Sequence, residues 1–193
     1  MKRSFLFDLG FHHGEGLEYL TKQYGVDATW VVFCFEPNPA CRVHLLRAGF
    51  LRNPRYTAMP FAAHVHTGPV MFQQEAVIHG GTEDGQGSHL ADINLDIDCR
   101  GGRCVPVWAV DFPAFLRSII PPVREQTAYV VVKMDIEGAE YELLRTMLQD
   151  GSLGLIDVLH VEFHQRLMPY ETDATTEQLR ESLRQFVRLE EHW

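Results

Sequence analysis

Short apolar runs alternate with longer amphipathic stretches along the chain, which is the pattern of strands and helices around a mostly parallel sheet. The apolar runs predict strands at residues 4–8, 30–36, 55–61, 128–135 and 155–164. The amphipathic stretches predict helices at residues 14–24, 40–48, 111–120, 137–149 and 175–186. The last residues, 187–193, have the length of one more strand. The predicted fold is therefore α/β, a doubly wound Rossmann-like sheet.

The periodicity is lost between residues 64 and 110, and residues 79–88 are rich in turn formers and polar side chains. Loops of that length in compact domains usually carry function. With 193 residues the chain suits one domain. Within it we predict a cofactor half at about residues 1–63, acceptor-binding loops at about 64–110, and catalytic strands at about 128–164.

Composition and charge limit the classes of protein to which the chain can belong. Hydrophobic residues make up 46% of the chain and charged residues 22%, as in folded globular proteins. The net charge of -9 argues against a nucleic-acid or anionic-lipid partner. The first apolar run, residues 5–7, is too short for a signal peptide, and no run approaches the ~20 residues of a membrane span. We therefore expect a cytoplasmic protein. The sequence leaves open whether it forms a homo-oligomer.

The four cysteines do not have the spacing of a disulfide framework. Cys34 lies inside an apolar run and is expected in the core. Cys99 and Cys104 flank an Arg-Gly-Gly-Arg segment. Two free thiols in a loop are favoured there over a zinc site, because no second close pair completes the ligand set.

A glycine-rich loop, Asp8-Leu9-Gly10-Phe11-His12-His13-Gly14-Glu15-Gly16, follows the first predicted strand. Glycines allow a ligand to approach the backbone, and the helix that follows offers unpaired N–H groups. The spacing G-x-x-x-G-x-G differs from the dinucleotide fingerprint G-x-G-x-x-G. By itself the loop fits a structural turn as well as a ligand site.

An acidic residue, Glu36, ends the second predicted strand and is followed by Pro37-Asn38-Pro39. Doubly wound folds place a carboxylate at this position to accept the hydroxyls of a bound ribose. A solvated strand end is the alternative, but the apolar residues directly before Glu36 place it beside the cleft. The loop and the acid together indicate a nucleoside cofactor.

Two further motifs end neighbouring predicted strands. Lys133-Met134-Asp135-Ile136-Glu137-Gly138-Ala139-Glu140 places Asp135 at the ligand crevice, while Glu137 and Glu140 fit either a functional role or the helix dipole. In His160-Val161-Glu162-Phe163-His164, alternation puts the three polar side chains on one face. We expect His160 to be a core histidine, and Glu162 and His164 to face Asp135 across the cleft.

Taken in order, these motifs resemble those of the FkbM-family methyltransferases. The resemblance covers residues 5–164 and is most specific at residues 133–140. It implies a class I S-adenosylmethionine-dependent methyltransferase that acts on a hydroxyl of a sugar, glycolipid or small natural product. That class normally ends with an antiparallel strand, which we expect this sheet to lack.

The resemblance also implies roles by position. The methionine part of the cofactor would lie against Asp8, Gly10, His12 and Gly14, and its ribose against Glu36, Pro37 and Asn38. Phe61 and Ala62, with Ala63, would lie near the adenine, and Asp135 would border the cofactor. The segment Gly87-Ser88-His89-Leu90 resembles a loop that closes over cofactor or acceptor. Phe11 and His12 stand where the family usually has alanine and asparagine.

Methyl transfer needs the acceptor oxygen, methyl carbon and sulfur in line, and a group that takes the hydroxyl proton. We expect His164 to be the general base, with Asp135 and Glu162 orienting it or the acceptor. A divalent metal on these three residues is an alternative that we do not favour, because carboxylates beside a sulfonium are explained by electrostatics alone. Two other classes stay open: a nucleotide-dependent oxidoreductase, disfavoured by the glycine spacing, and a non-catalytic S-adenosylmethionine-binding or assembly module. A nucleic-acid methyltransferase is disfavoured by the charge.

Overall fold

The computed structural model describes residues 2–41, 56–74, 88–90 and 103–191. The strands are β1 (Arg3–Leu9), β2 (Trp30–Phe35), β3 (Tyr56–Met59), β4 (Ala62–His64), β5 (Gly68–Gln74), β6 (His89–Leu90), β7 (Arg103–Asp111), β8 (Thr127–Met134), β9 (Val158–Val161) and β10 (Arg188–Glu190). The α-helices are α1 (Glu15–Tyr24), α2 (Phe112–Ile119), α3 (Glu140–Asp150) and α4 (Asp173–Arg184). The helix predicted at residues 40–48 lies almost wholly outside the described ranges.

Six strands form a central sheet in the order β10-β9-β8-β1-β2-β3, and each neighbouring pair is parallel. Its middle strands are almost entirely apolar because both faces of the sheet are covered. Helices α2, α3 and α4 pack against one face, and α1 packs against the other. The predicted doubly wound α/β fold is confirmed. Within the described residues the sheet contains no antiparallel strand, and β10 occupies the predicted position in the tail.

Two predicted elements are shorter than expected, both at the same edge of this sheet. The strand predicted at residues 155–164 ends at Val161, so Glu162 and His164 lie beyond it. The helix predicted from residue 137 begins at Glu140, because Glu137 and Gly138 have positive φ angles of 52° and 103°. The prediction that strand alternation aligns His160 with Glu162 and His164 is therefore wrong.

A second sheet occupies much of the region that was predicted to be acceptor loops. Its order is β4-β7-β5-β6, with β5 antiparallel to both neighbours and β4 parallel to β7. Along β5 the side chains of Val70 and Phe72 are buried, while that of Met71 is exposed. The buried face packs against Ala139, so this sheet lies over the turn that follows β8. The loop prediction is wrong for these strands, and residues 79–87 lie outside the described residues.

The cysteines differ in part from expectation. Cys34 is buried and free, as predicted. Cys104 is disulfide-bonded, which corrects the prediction of a free thiol, and Cys99 lies outside the described residues. Disulfides are rare in cytosolic proteins, so this bond does not support the expected cytoplasmic location. None of the helices in the described residues is long and apolar enough to cross a membrane.

Candidate active site

The ends of four central strands are in register. Leu9, the last residue of β1, is paired with Phe35 and Met134, and Met134 is paired with Val161. The residues that directly follow these four strands therefore lie along one line, in the order Glu162, Asp135, Gly10 and Glu36. Three of these four residues are acidic. This line is the carboxyl edge where ligands bind in doubly wound sheets.

A cavity of about 810 Å³ opens at this edge, which is within the usual size range of a small-molecule site. The line of strand ends forms its floor, and Phe72 and Leu90 of the second sheet contribute apolar wall. Seven of the residues predicted to bind a cofactor line the cavity: Gly10, His12, Glu36, Pro37, Asn38, Ala62 and Asp135. The three predicted catalytic residues, Asp135, Glu162 and His164, also line it.

Three predicted cofactor contacts do not line this cavity: Asp8, Gly14 and Phe61. Asp8 is fully buried behind Lys133. Gly14 lies at the N-cap of α1, where a Cβ would come within 2.6 Å of the Phe11 ring. These positions indicate that Asp8 and Gly14 support the glycine-rich loop from below.

Glu36 is only 5% exposed and holds its carboxylate at one end of the cavity. Its two oxygens each accept a backbone N–H at 2.7 Å, from His12 and from Asn38. Burial raises the pKa of Glu36 above its ordinary value, and the two hydrogen bonds oppose that shift. A carboxylate has about four acceptor positions, so about two remain for hydroxyl groups in the cavity.

The glycine-rich loop accommodates its unusual aromatic residue without filling the cavity. The Phe11 ring is 2% exposed and packs with Leu17 and Leu20 beneath the loop, so that it only borders the cavity. Gly10 has a φ of 81°, and a Cβ there would overlap the carbonyl oxygen of Asp135. Glycine is therefore required where the ends of β1 and β8 meet.

A buried lysine joins the loop to the two acids that flank it. The Lys133 side chain is 2% exposed, and its Nζ lies 3.1 Å from Asp8 Oδ1 and 3.5 Å from Asp135 Oδ2. It also donates a hydrogen bond of 2.8 Å to the Gly10 carbonyl. Burial alone would lower the pKa of Lys133, but the charges of Asp8 and Asp135 raise it above its ordinary value. The sequence analysis assigned no role to this lysine.

His164 is the centre of the acidic end of the cavity and is 5% exposed. Its Nε2 lies 3.5 Å from Glu137 Oε2, 3.7 Å from Asp135 Oδ1 and 3.8 Å from Glu162 Oε1. Burial alone would lower the pKa of His164, but the contact with Glu140 and the charges of Glu137 and Asp135 raise it to about 9. The imidazole therefore holds a proton at neutral pH in the ligand-free site.

Glu140 connects the turn after β8 with the segment after β9. It is fully buried, and its Oε2 accepts the Gly138 N–H at 2.8 Å while its Oε1 accepts the His164 N–H at 2.7 Å. The same Oε1 lies 3.3 Å from His164 Nδ1. Glu140 therefore does more than complement the helix dipole, since its buried carboxylate holds the backbone of His164 in place.

His160 lies away from this group. Its Nε2 is 2.8 Å from the Tyr24 hydroxyl, and burial lowers its pKa to about 4. The prediction of a core histidine is confirmed, since the side chain is fully buried and its Nε2 is bonded to Tyr24.

A family model described as the methyltransferase FkbM domain matches residues 8–188. No curated protein matches the chain significantly. A crystal structure of methyltransferase FkbM from Methylobacillus flagellatus KT is similar to it at 18% identity and a TM-score of 0.42. That similarity covers 79% of this chain and 30% of the length of the Methylobacillus protein.

Proposed function

The chain belongs to the FkbM methyltransferase family, and from this membership we propose that it methylates a hydroxyl group with S-adenosylmethionine as the methyl donor. The acceptor we propose is a sugar, a glycolipid or another small natural product. The observation that carries the proposal is the Glu36 carboxylate, which is fixed by two backbone N–H groups and faces a cavity of suitable size.

The cavity fits the proposed donor at both ends. Two unused acceptor positions on Glu36 suit the two hydroxyls of a ribose. Gly10 and His12 lie between Glu36 and Asp135, where the methionine part of the donor would be held. S-adenosylmethionine supplies a methyl group that is already activated by a sulfonium, so the protein mainly aligns the reactants.

We assign the acceptor hydroxyl to the opposite end, beside Asp135, Glu162 and His164. In the transfer the hydroxyl oxygen forms a bond to the methyl carbon, the bond from that carbon to sulfur breaks, and the hydroxyl proton leaves. His164 is our proposed acceptor for this proton, with Asp135 and Glu162 as orienting groups. Because the ring is protonated in the ligand-free site, its own proton must first leave.

Calorimetric titration with S-adenosylmethionine, S-adenosylhomocysteine and NAD tests the cofactor. We expect both sulfur nucleosides to bind and NAD not to bind. Glu36→Gln should weaken binding by about 10- to 100-fold, because hydrogen bonds to a charged group contribute about 1.5–3 kcal/mol. Glu18→Gln, on the exposed face of α1, is the matched control and should leave the affinity unchanged.

The outcomes separate the remaining classes. Binding of NAD alone would support the oxidoreductase, and a folded protein that binds none of the three ligands would overturn the proposal. Methyl transfer from radiolabelled donor to a panel of hydroxylated acceptors then tests catalysis. A His164→Ala variant with full turnover would remove the base assignment, and binding without transfer to any acceptor would favour the non-catalytic module.

A further inference from the structure

The acidic end of the cavity has the geometry of a cation site. We propose that Asp135, Glu162 and His164 bind one divalent metal ion of the Mn²⁺ class. One donor atom from each of the three residues lies within 4.8 Å of the other two. The sequence alone did not favour a metal, because carboxylates beside a sulfonium are also explained by electrostatics.

The distances around His164 Nε2 are too long for hydrogen bonds and suit ligands of a shared ion. The three nearest carboxylate oxygens lie at 3.5, 3.7 and 3.8 Å, whereas N–H···O hydrogen bonds span about 2.7–3.2 Å. Ligand atoms at 2.1–2.6 Å from one cation are about 3.0–3.7 Å apart. The distances from Nε2 to the two proposed ligand oxygens, 3.7 Å for Asp135 and 3.8 Å for Glu162, therefore lie at the upper end of this range.

The orientation of the imidazole is a second observation, independent of the acids. His164 is 5% exposed, and within the described residues its Nε2 has no hydrogen-bond partner. On the other side of the ring, Nδ1 is buried without a hydrogen bond and lies 3.3 Å from Oε1 of Glu140. The two oxygens of that carboxylate are held by the backbone N–H groups of Gly138 and His164. A carboxylate behind a histidine is the usual support of a metal ligand, since it aims the other nitrogen at the ion.

The charge around the ring also indicates a cation. Asp135 and Glu162 contribute two negative charges, and Glu137 Oε2, 3.5 Å from Nε2, contributes a third. This Glu137 oxygen is buried and has no hydrogen-bond partner in the described part of the chain. Lys133 lies 3.5 Å from Asp135 Oδ2 and is already paired with Asp8. A mixed set of carboxylates and one imidazole fits Mn²⁺ better than the softer metals.

The use of this metal, though not its binding, rests on the proposed function. Three protein ligands leave positions open on an ion that takes six ligands. An acceptor with two neighbouring oxygen atoms could occupy two of them, which would fix the reacting hydroxyl and ease the loss of its proton to solvent. With the ion bound, His164 would be a metal ligand through Nε2 and would no longer act as the base. The proposal therefore narrows the acceptor class to molecules with vicinal hydroxyl groups.

Electron paramagnetic resonance of Mn²⁺ tests the site without any turnover, since the signal of free Mn²⁺ disappears when the ion binds. With chelator-treated protein and no donor present, we expect one equivalent of Mn²⁺ to bind per chain. Glu162→Gln and His164→Gln should each weaken binding at least 10-fold, and Glu140→Gln should weaken it 10- to 100-fold through the His164 orientation. Glu18→Gln is again the matched control and should bind as wild type.

Circular dichroism and titration with S-adenosylhomocysteine show that each variant is folded. Absence of Mn²⁺ binding, or wild-type binding in both Glu162→Gln and His164→Gln, would overturn the metal proposal and would favour a protonated His164 as the balancing charge. Mn²⁺ binding together with failure to bind either sulfur nucleoside would overturn the proposed function and leave the metal site standing. The two failures are therefore distinguishable.

Discussion

Replacement of Lys133 by methionine is the perturbation with the largest expected effect on stability. Methionine keeps much of the apolar stem and removes the ammonium that lies between Asp8 and Asp135. Asp8 is 0% exposed and would be left as a buried acid without its main countercharge. Asp135, which is 28% exposed at the cavity, can regain water and should suffer less.

The magnitude follows from the two distances. At an effective dielectric constant of about 20, charges 3.1 and 3.5 Å apart attract by about 5 kcal/mol each. Desolvation of the three ions offsets much of this attraction, so their net contribution to the free energy of unfolding is small. Removal of one of the partners, however, costs about 3–5 kcal/mol of stability. If Asp8 instead takes up a proton at pH 7, protonating an acid whose ordinary pKa is about 3.9 costs about 4 kcal/mol, which is the same range.

Urea unfolding at pH 7, followed by tryptophan fluorescence, measures the loss. With a slope of about 2 kcal/mol/M, Lys133→Met should lower the midpoint by about 2 M. Adding Asp8→Asn should recover part of the loss, because the stranded charge is gone. Lys22→Met is the control: its side chain is 74% exposed and pairs only with Glu18, so the change should stay within about 0.5 kcal/mol. A loss below about 1 kcal/mol for Lys133→Met, or full additivity with Asp8→Asn, would refute the reasoning.

Two further substitutions test the loop and the surface of the fold. Gly10→Ala should cost about 3 kcal/mol or more and abolish binding of S-adenosylhomocysteine, because the new Cβ would overlap the Asp135 carbonyl. Gly25 has a φ of 58°, but a Cβ there would meet no atoms within 4 Å, so Gly25→Ala should cost only about 1 kcal/mol in the same urea unfolding assay. Arg145→Met removes a bidentate pair with Glu171 at 2.5 and 2.8 Å and should cost about 1 kcal/mol at pH 7. Arg145 lowers the pKa of Glu171. The loss of stability in Arg145→Met should therefore be present above the ordinary glutamate pKa of about 4.3 and should vanish as the pH falls through the lowered pKa of Glu171. A loss of stability that is unchanged at pH 2.5 would contradict this reasoning.

The central sheet could be predicted because its strands carry their signal locally. The apolar runs before Glu36 and Asp135 end where polar residues begin, and that boundary is the carboxyl edge of the sheet. A sequence can therefore locate this edge as soon as the strands are recognised.

The second sheet could not be predicted in the same way. Pro69 and Pro106 lie inside its longer strands, and proline argues against a strand when only a short window is considered. In the structure Pro69 is paired with Trp108 and Pro106 with Met71, and the proline side chains are on the exposed face. The pairing of β5 with β7 joins segments that are distant in sequence, which no local pattern reveals.

The acidic end of the site was predicted in composition but not in geometry. Glu140 was equally consistent with a helix-dipole role, because a sequence does not show that the side chain is buried. The backbone N–H of His164 donates to Glu140, and this contact turns the chain away from β9. Only the closure of β8 against β9 brings those two residues together.

The order of the central sheet has a consequence for how the chain reaches its native state. β1 is synthesised before the other strands of this sheet, lies between β2 and β8, and has Ser4 paired with Tyr129. Contacts between segments so far apart form slowly, since a long loop must close before they contribute stability. At a synthesis rate of about 5–20 residues per second, β1 has one unpaired edge for roughly 6–25 seconds. When β8 is added to the sheet, its Lys133 meets Asp8. A chain whose site is incomplete therefore also has a sheet with an open edge. Quality control that removes chains with open sheets would select for a formed active site.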